Sequence, residues 1–304
     1  MRTRLRLAFL GLLLATGVGL IVALYSARLS TPLESTLASS FQLLGTPVKL
    51  ADRLASRVIP VGDLDERDLG DTYRARYDAQ VVPGDVDQAY VDALMAHHIV
   101  PFAAKPFPYR AYVIPYGAPN AMALPGGVIL VTRELLATLG SEAELVSVLA
   151  HELGHIESGH CFDAVRFELL ARKVNSDELG ALADAAAQLM LHHAYGKTTE
   201  NEADDFAYLL MTNSRYDPQG MGNAFASLRQ WLQAQGVSTP QQADPLRDYF
   251  LSHPPLELRE AEFRQRATAW WARNAQQQRY IGRQNLTARQ DLGVLDVDGE
   301  WTTG

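Results

Sequence analysis

The chain has a single cysteine, Cys161, so no disulfide can close within it. A surplus of basic charge is missing too: 27 Lys and Arg stand against 35 Asp and Glu, a formal net charge of −8. Nucleic-acid binding driven by phosphate neutralisation needs the opposite balance, which excludes a polybasic binder. Long apolar runs are scarce. Only Leu7 to Tyr25 reaches spanning length, which excludes a multi-span membrane protein. With 47% apolar residues, the chain is also too hydrophobic for intrinsic disorder.

Arg2, Arg4 and Arg6 precede the one apolar run, and only Arg28 follows soon after it. That asymmetry puts the amino terminus in the cytoplasm and the bulk of the chain across the membrane. A secretory signal has an apolar region of roughly 7 to 15 residues ending in a small-x-small site. Here the run is longer, and Tyr25 stands where the second small residue would be. Residues 1–28 therefore read as a retained single transmembrane helix, with signal cleavage as the alternative; both readings export the remainder. Residues 29–59 read as amphipathic helices forming a stem, and 60–275 as one domain. The polar segment 276–304 either moves freely or lies along that domain.

Within the domain, Val86, Tyr90 and Leu94 follow helical spacing. The period then changes: Tyr109–Tyr116, Asn120–Leu124 and Val128–Thr132 read as strands, with Pro125-Gly126-Gly127 as a turn. Beyond Thr132 the pattern predicts helices at about 133–140, 142–160, 163–195, 200–213, 218–235 and 255–275. The fold class is α+β, mainly helical, with a small sheet.

The chemistry concentrates in SEAELVSVLAHELGHIESGH, residues 141–160. Ser141 and Glu144 form a capping box that starts a helix at Glu142. His151 and His155 lie four residues apart, about 40° around the helix axis and one turn along it, so both imidazoles can reach one zinc ion. Glu152 is rotated by about 100°, beside the ion rather than on it. Chance alone would place this pentapeptide in roughly one chain of this length and histidine content in a hundred, so a second signal is required. Glu200-Asn201-Glu202-Ala203-Asp204 supplies one. Glu200 and Asp204 share a helix face: one carboxylate can complete the ligand set and the other can accept the free N–H of a ligating imidazole. Glu202 lies about 200° around the helix from Glu200, and Thr199 with Glu202 reads as a capping box.

Four motifs in order, NAMALPGGVILVTREL (120–135), HELGHIESGH (151–160), ENEAD (200–204) and HPPLELR (253–259), resemble the CAAX-prenyl-protease and HtpX-like family of gluzincin metallopeptidases over roughly residues 60–265. The resemblance implies a zincin-like domain with one zinc ion held by His151, His155 and Glu200, with Glu152 as catalytic base. It is similar in particular to anchored or periplasmic bacterial members that degrade misfolded envelope proteins. The implied setting is a single-pass protein of the bacterial inner membrane with its catalytic domain in the periplasm, acting on unfolded polypeptides, its oligomeric state open. His253 would donate to the developing oxyanion or, as in relatives, bind the zinc and shut the site. Asn120, Ala121, Met122 and Ala123 look like the family's edge strand, which would hold an extended peptide by backbone hydrogen bonds. Arg259 would orient substrate or His253, or sit in a surface ion pair. A zinc-binding, chaperone-like protein latched on the same fold is the competing reading.

Other residues read as structural. His160 projects about 140° from the metal face and His97-His98 have no carboxylate nearby in sequence, so both read as helix-end residues. His192-His193 lack ligand spacing. Cys161 reads as a small buried hydrophobe, and Trp270-Trp271 as packing against the domain or a lipid surface.

Overall fold

A computed structural model describes residues 63–115, 117–165, 196–236 and 256–304. The apolar run 7–25, the stem, His192-His193 and His253 lie outside these residues. Among the described residues, no helix is long and apolar enough to cross a membrane.

Helix α1 (Asp63–Asp78) leads to α2 (Val86–Leu94), which Asp85 caps by accepting from the Asp87 and Gln88 N–H groups. The helix then widens into a π turn (Met95–Ile99) and tightens into a 3-10 turn (Val100–Phe102) that contains Pro101. Three strands follow, β1 (Arg110–Ile114), β2 (Ala121–Leu124) and β3 (Val128–Thr132). The sheet order is β1-β3-β2, with β3 parallel to β1 and antiparallel to β2. Every residue of the central strand β3 is buried, as the apolar run VILV that precedes Thr132 suits a strand covered on both faces. Gly126, at φ +78°, makes the β2–β3 turn, and a Cβ there would lie 2.4 Å from the Glu66 carbonyl oxygen. Only glycine satisfies both conditions.

The two edges of the sheet differ. On β1, the Gln88 side chain donates to the Ala111 carbonyl at 2.8 Å and accepts from the Val113 N–H at 2.8 Å. One side-chain amide thus stands in for a neighbouring strand and closes that edge. On β2, Asn120 receives the Thr132 N–H and gives its own N–H to Thr132 Oγ1, so its backbone faces β3. Antiparallel alternation then turns the backbone groups of Ala121 and Ala123 toward the outer edge.

Helix α3 (Arg133–Thr138) is capped by Thr132, and α4 (Glu142–Glu157) begins at the predicted residue with Ser141 Oγ accepting the Glu144 N–H. Leu145, Val146, Leu149, Leu153 and Ile156 of α4 are fully buried, each contributing about 1.5 to 3 kcal/mol. The helix stops at Ser158 and Gly159, whose φ of +78° breaks it, and residues 160–165 resume as a separate helical segment. Three further helices follow, α5 (Lys197–Asn213), α6 (Gln219–Ala234) and α7 (Leu256–Arg273); α5 and α6 pack on α4, and α7 packs on α6. Cys161 is buried in the core, and Trp270 and Trp271 are buried against the domain, with Trp271 Nε1 donating to Asp217 at 3.0 Å.

The segment after α7 lies along the domain. It forms β4 (Gln278–Tyr280), a short α8 (Arg283–Ala288), a 3-10 turn (Asp298–Glu300) and β5 (Trp301–Thr303), with β4 and β5 antiparallel. Its Gly282 and Ile281 carbonyls accept the N–H groups of Glu142 and Ala143, the first residues of α4. Those donors have no partner inside the helix, so the C-terminal segment completes the start of α4.

Candidate active site

The close approach of α4 and α5 builds the site. Gly154 permits it, because a Cβ there would lie 3.0 Å from the Ala203 backbone and 3.1 Å from Phe206 Cβ. With the helices this near, Glu200 in the first turn of α5 reaches the two histidines of α4. His151 Nε2 and His155 Nε2 are 3.1 Å apart, His155 Nε2 is 3.3 Å from Glu200 Oε1, and His151 Nε2 is 3.7 Å from Glu200 Oε2. All three side chains are at most 2% exposed. Zinc bonds of about 2.0 to 2.1 Å in a tetrahedron separate neighbouring ligands by about 3.3 to 3.4 Å. The donor set and its spacing therefore fit one zinc ion.

Each imidazole is held from its far side. His151 Nδ1 lies 2.9 Å from Asp204 Oδ1, which fixes the proton on Nδ1 and leaves Nε2 as the lone-pair donor. Burial alone would raise the Asp204 pKa, but the hydrogen bond from His151 and the charge and hydrogen bonds of Arg259 outweigh it and hold the carboxyl below its usual range. His155 Nδ1 lies 3.0 Å from His160 Nδ1, and His160 Nε2 lies 2.9 Å from Glu202 Oε2. One assignment satisfies the whole chain: His155 Nδ1–H donates to His160, and His160 Nε2–H donates to Glu202.

Glu152, fully buried, accepts the Ala123 N–H at 2.8 Å, which ties the carboxylate beside the two histidines to the outer edge of β2. Residues 85–267 match Peptidase family M48. The chain belongs to this family. It is 28% identical over 139 residues to the mitochondrial metalloendopeptidase OMA1 of Arabidopsis thaliana, covering 44% of this chain and 27% of that protein. Similarity to the metalloprotease YcaL of Escherichia coli K12 is 26% identity over 175 residues, 53% of this chain and 62% of that one. To the β-barrel assembly-enhancing protease of Yersinia pestis it is 25% over 268 residues, 82% of this chain and 53% of that one. The chain thus spans between about a quarter and three-fifths of these relatives' lengths.

Within the M48 domain three readings of the sequence need correction. Arg259, expected to orient substrate or His253 or to sit in a surface ion pair, is 5% exposed. Its guanidinium donates to Asp204 Oδ2 at 2.8 Å and Oδ1 at 2.6 Å, and its third nitrogen lies 3.0 Å from Glu200 Oε2. The face of Phe225 packs 4.4 Å from Arg259 Cζ. An arginine surrounded by two site carboxylates and an aromatic ring holds Asp204 and Glu200 in place rather than facing solvent. His160 is the second correction. A helix continuing past Ser158 would turn it away from the metal face, but the turn at Gly159 folds it back onto His155. The Thr199–Glu202 capping box is the third: α5 begins at Lys197 with Gly196 as its cap, Thr199 Oγ1 donates to the Gly196 carbonyl, and Glu202 meets His160 instead. A glycine one residue before the extra histidine was the signal for this arrangement, since it marks where helical projection stops being valid.

Of the expected strand residues, Ala121 and Ala123 are buried and Met122 half-buried. Asn120 is turned to β3, so Ala121 and Ala123 alone offer backbone groups outward, and the Ala123 N–H is already given to Glu152.

Proposed function

We propose that the chain is a zinc-dependent endopeptidase that cleaves unfolded or misfolded polypeptides on the outer side of a bacterial inner membrane, held there by residues 7–25. The observation that carries this reading is the convergence of His151, His155 and Glu200 at zinc-ligand spacing, with Glu152 tied to the outer edge of β2. Membership of a peptidase family, and relatives named as metalloendopeptidase, metalloprotease and assembly-enhancing protease, support the reaction class. Likeness to the anchored or periplasmic bacterial members, and the arginine asymmetry around the apolar run, support the location.

A bound zinc ion supplies a Lewis acid that acidifies water and stabilises a developing oxyanion. The protein's own groups do the rest. Ala121 N–H and the carbonyls of Ala121 and Ala123 hold an extended peptide along β2, a contact that reads main chain and so favours unfolded substrates of varied sequence. Glu152 takes the proton of the attacking water and passes it to the departing amine. The Ala123 N–H keeps that carboxylate aimed, while Asp204, Arg259, His160 and Glu202 fix the ligands against rotation. We assign His253 the second donor to the oxyanion.

The test compares full-length wild type with Glu152→Gln on a reduced, carboxymethylated protein, with zinc quantified in the same samples. Cleavage by the wild type alone, with zinc in both, is expected. Zinc in both without cleavage in either moves the assignment to a latched, binding-only protein with His253 as the latch, and absence of zinc from both removes the metal site.

A further inference from the structure

A second cluster of metal-ligand type joins the π turn Met95–Ile99 to the C-terminal segment and shares no residue with the group formed by His151, His155 and Glu200. His97 Nδ1 is 2.7 Å and His98 Nε2 3.3 Å from the same oxygen, Oδ2 of Asp291, and the three ligand atoms all lie within 4.8 Å of one another. These separations resemble those among His151, His155 and Glu200, the only other group of this kind among the described residues. The carboxylate that was missing from the neighbourhood of His97-His98 in sequence comes from the C-terminal segment.

Two features mark the cluster as built. Adjacent residues of an α-helix point about 100° apart and do not share a face. His97 and His98 do converge, because they sit in the π turn Met95–Ile99, a rare conformation that concentrates at functional sites. Asp291 is the second feature. Its side chain has no exposure to solvent, and its other oxygen, Oδ1, is buried with no hydrogen-bond partner. A buried carboxylate with an unanswered oxygen is costly beside two nitrogens that can share a cation with it. The frame around it is stiff. His98 packs edge-on against Tyr216 at 5.2 Å, Tyr216 donates to Glu142 at 2.6 Å, and Glu142 accepts the N–H of Leu292, next to Asp291, at 3.0 Å. Access is one-sided: the His97 side chain is 54% exposed, His98 13% and Asp291 0%.

We propose that His97, His98 and Asp291 bind a second divalent ion of the zinc class, separate from the catalytic one, which fastens the C-terminal segment to the π turn. Two imidazole nitrogens and one carboxylate oxygen are a zinc-class donor set, and the exposed side at His97 leaves room for water as the remaining ligand. The consequence is structural. The segment so fastened supplies the carbonyls that complete the start of α4, and α4 carries the catalytic histidines.

Zinc content is the test, measured on the full-length chain in a Glu152→Gln background to prevent self-digestion, at buffered free zinc that saturates the parent. Two ions per chain are expected in Glu152→Gln, and one after adding His97→Ala with His98→Ala. Asp291→Asn keeps the shape while removing the anionic ligand, and should likewise leave one, with an unchanged far-ultraviolet spectrum. One ion in all three proteins, or two in all three, overturns the proposal. A fall from one to none upholds this site and removes the ion from the catalytic one, so the two assignments fail separately.

Discussion

Replacing Glu142 with Gln should make the protein more stable at neutral pH and leave it nearly unchanged in mild acid. Glu142 is fully buried in the first turn of α4, where it accepts from Tyr90 Oη at 2.8 Å, Tyr216 Oη at 2.6 Å and the Leu292 N–H at 3.0 Å. Loss of hydration outweighs these three donors and raises its pKa from 4.5 to about 7. A carboxyl that binds its proton more tightly when folded contributes stability that is complete below the unfolded value and lost as pH rises through the folded one. At 1.36 kcal/mol per unit over about 2.5 units, the loss is about 3 kcal/mol, with no further change above pH 7. Gln keeps an oxygen for Leu292 and Tyr216 and offers its amide to the Tyr90 oxygen. Urea unfolding of both proteins between pH 4.5 and 8 measures the difference. The variant's advantage should grow through that range and level off. Parallel curves would refute the reasoning, since they would mean that Glu142 ionises in the folded protein with an ordinary pKa.

Substitutions at four positions probe the site itself, one of them as a control. Arg259→Met removes the guanidinium that joins Asp204 and Glu200, leaving two buried carboxylates with only the histidines as partners. A loss of about 3 to 5 kcal/mol is expected on thermal unfolding, along with weaker zinc binding against a chromogenic chelator, and Arg259→Lys should recover only part of it because it lacks the fork. Gly154→Val inserts a side chain where even a Cβ meets Ala203 at 3.0 Å; overpacking of about 1 to 3 kcal/mol in urea unfolding should coincide with reduced zinc affinity as Glu200 is displaced, and full affinity would contradict the helix approach described above. His160→Ala should lower zinc affinity or cleavage rate about 10- to 100-fold. Thr199→Ala, which removes only a hydroxyl bonded to the Gly196 carbonyl, should change either by less than about twofold.

The parts of the site that could be read from the sequence are those set by local periodicity. His151, Glu152 and His155 lie within one helix, so 100° per residue fixes their relation independently of any tertiary contact, and Ser141 with Glu144 fixes where that helix starts. Glu200 and Asp204 followed from the same arithmetic on a second helix. The arithmetic failed wherever the backbone left the α-helix. Gly159 ended α4 and turned His160 inward, and the π turn at Met95–Ile99 brought His97 and His98 together. The setting of Arg259 is illegible for a different reason. An isolated arginine in a sequence carries no sign of the carboxylates it will meet, because Asp204 and Glu200 reach it only through the packing of α5 against α7.

The C-terminal segment shows how composition can conceal a structural task. Residues 276–304 are polar, and polarity alone is equally compatible with a free tail and with a segment that satisfies polar groups elsewhere. A helix start exposes N–H groups that need acceptors, and at α4 these are met by Gly282 and Ile281 carbonyls and by Ser141 Oγ. Glu300 in turn accepts the N–H groups of Arg283 and Gln284 at the start of α8, at 2.7 and 2.9 Å. The segment's polar atoms are thus spent on helix ends, including that of the helix carrying His151 and His155. Its removal would expose the first turn of α4 and the buried Glu142 together, so the placement of the helix that carries His151 and His155 depends on residues more than a hundred positions away in the chain.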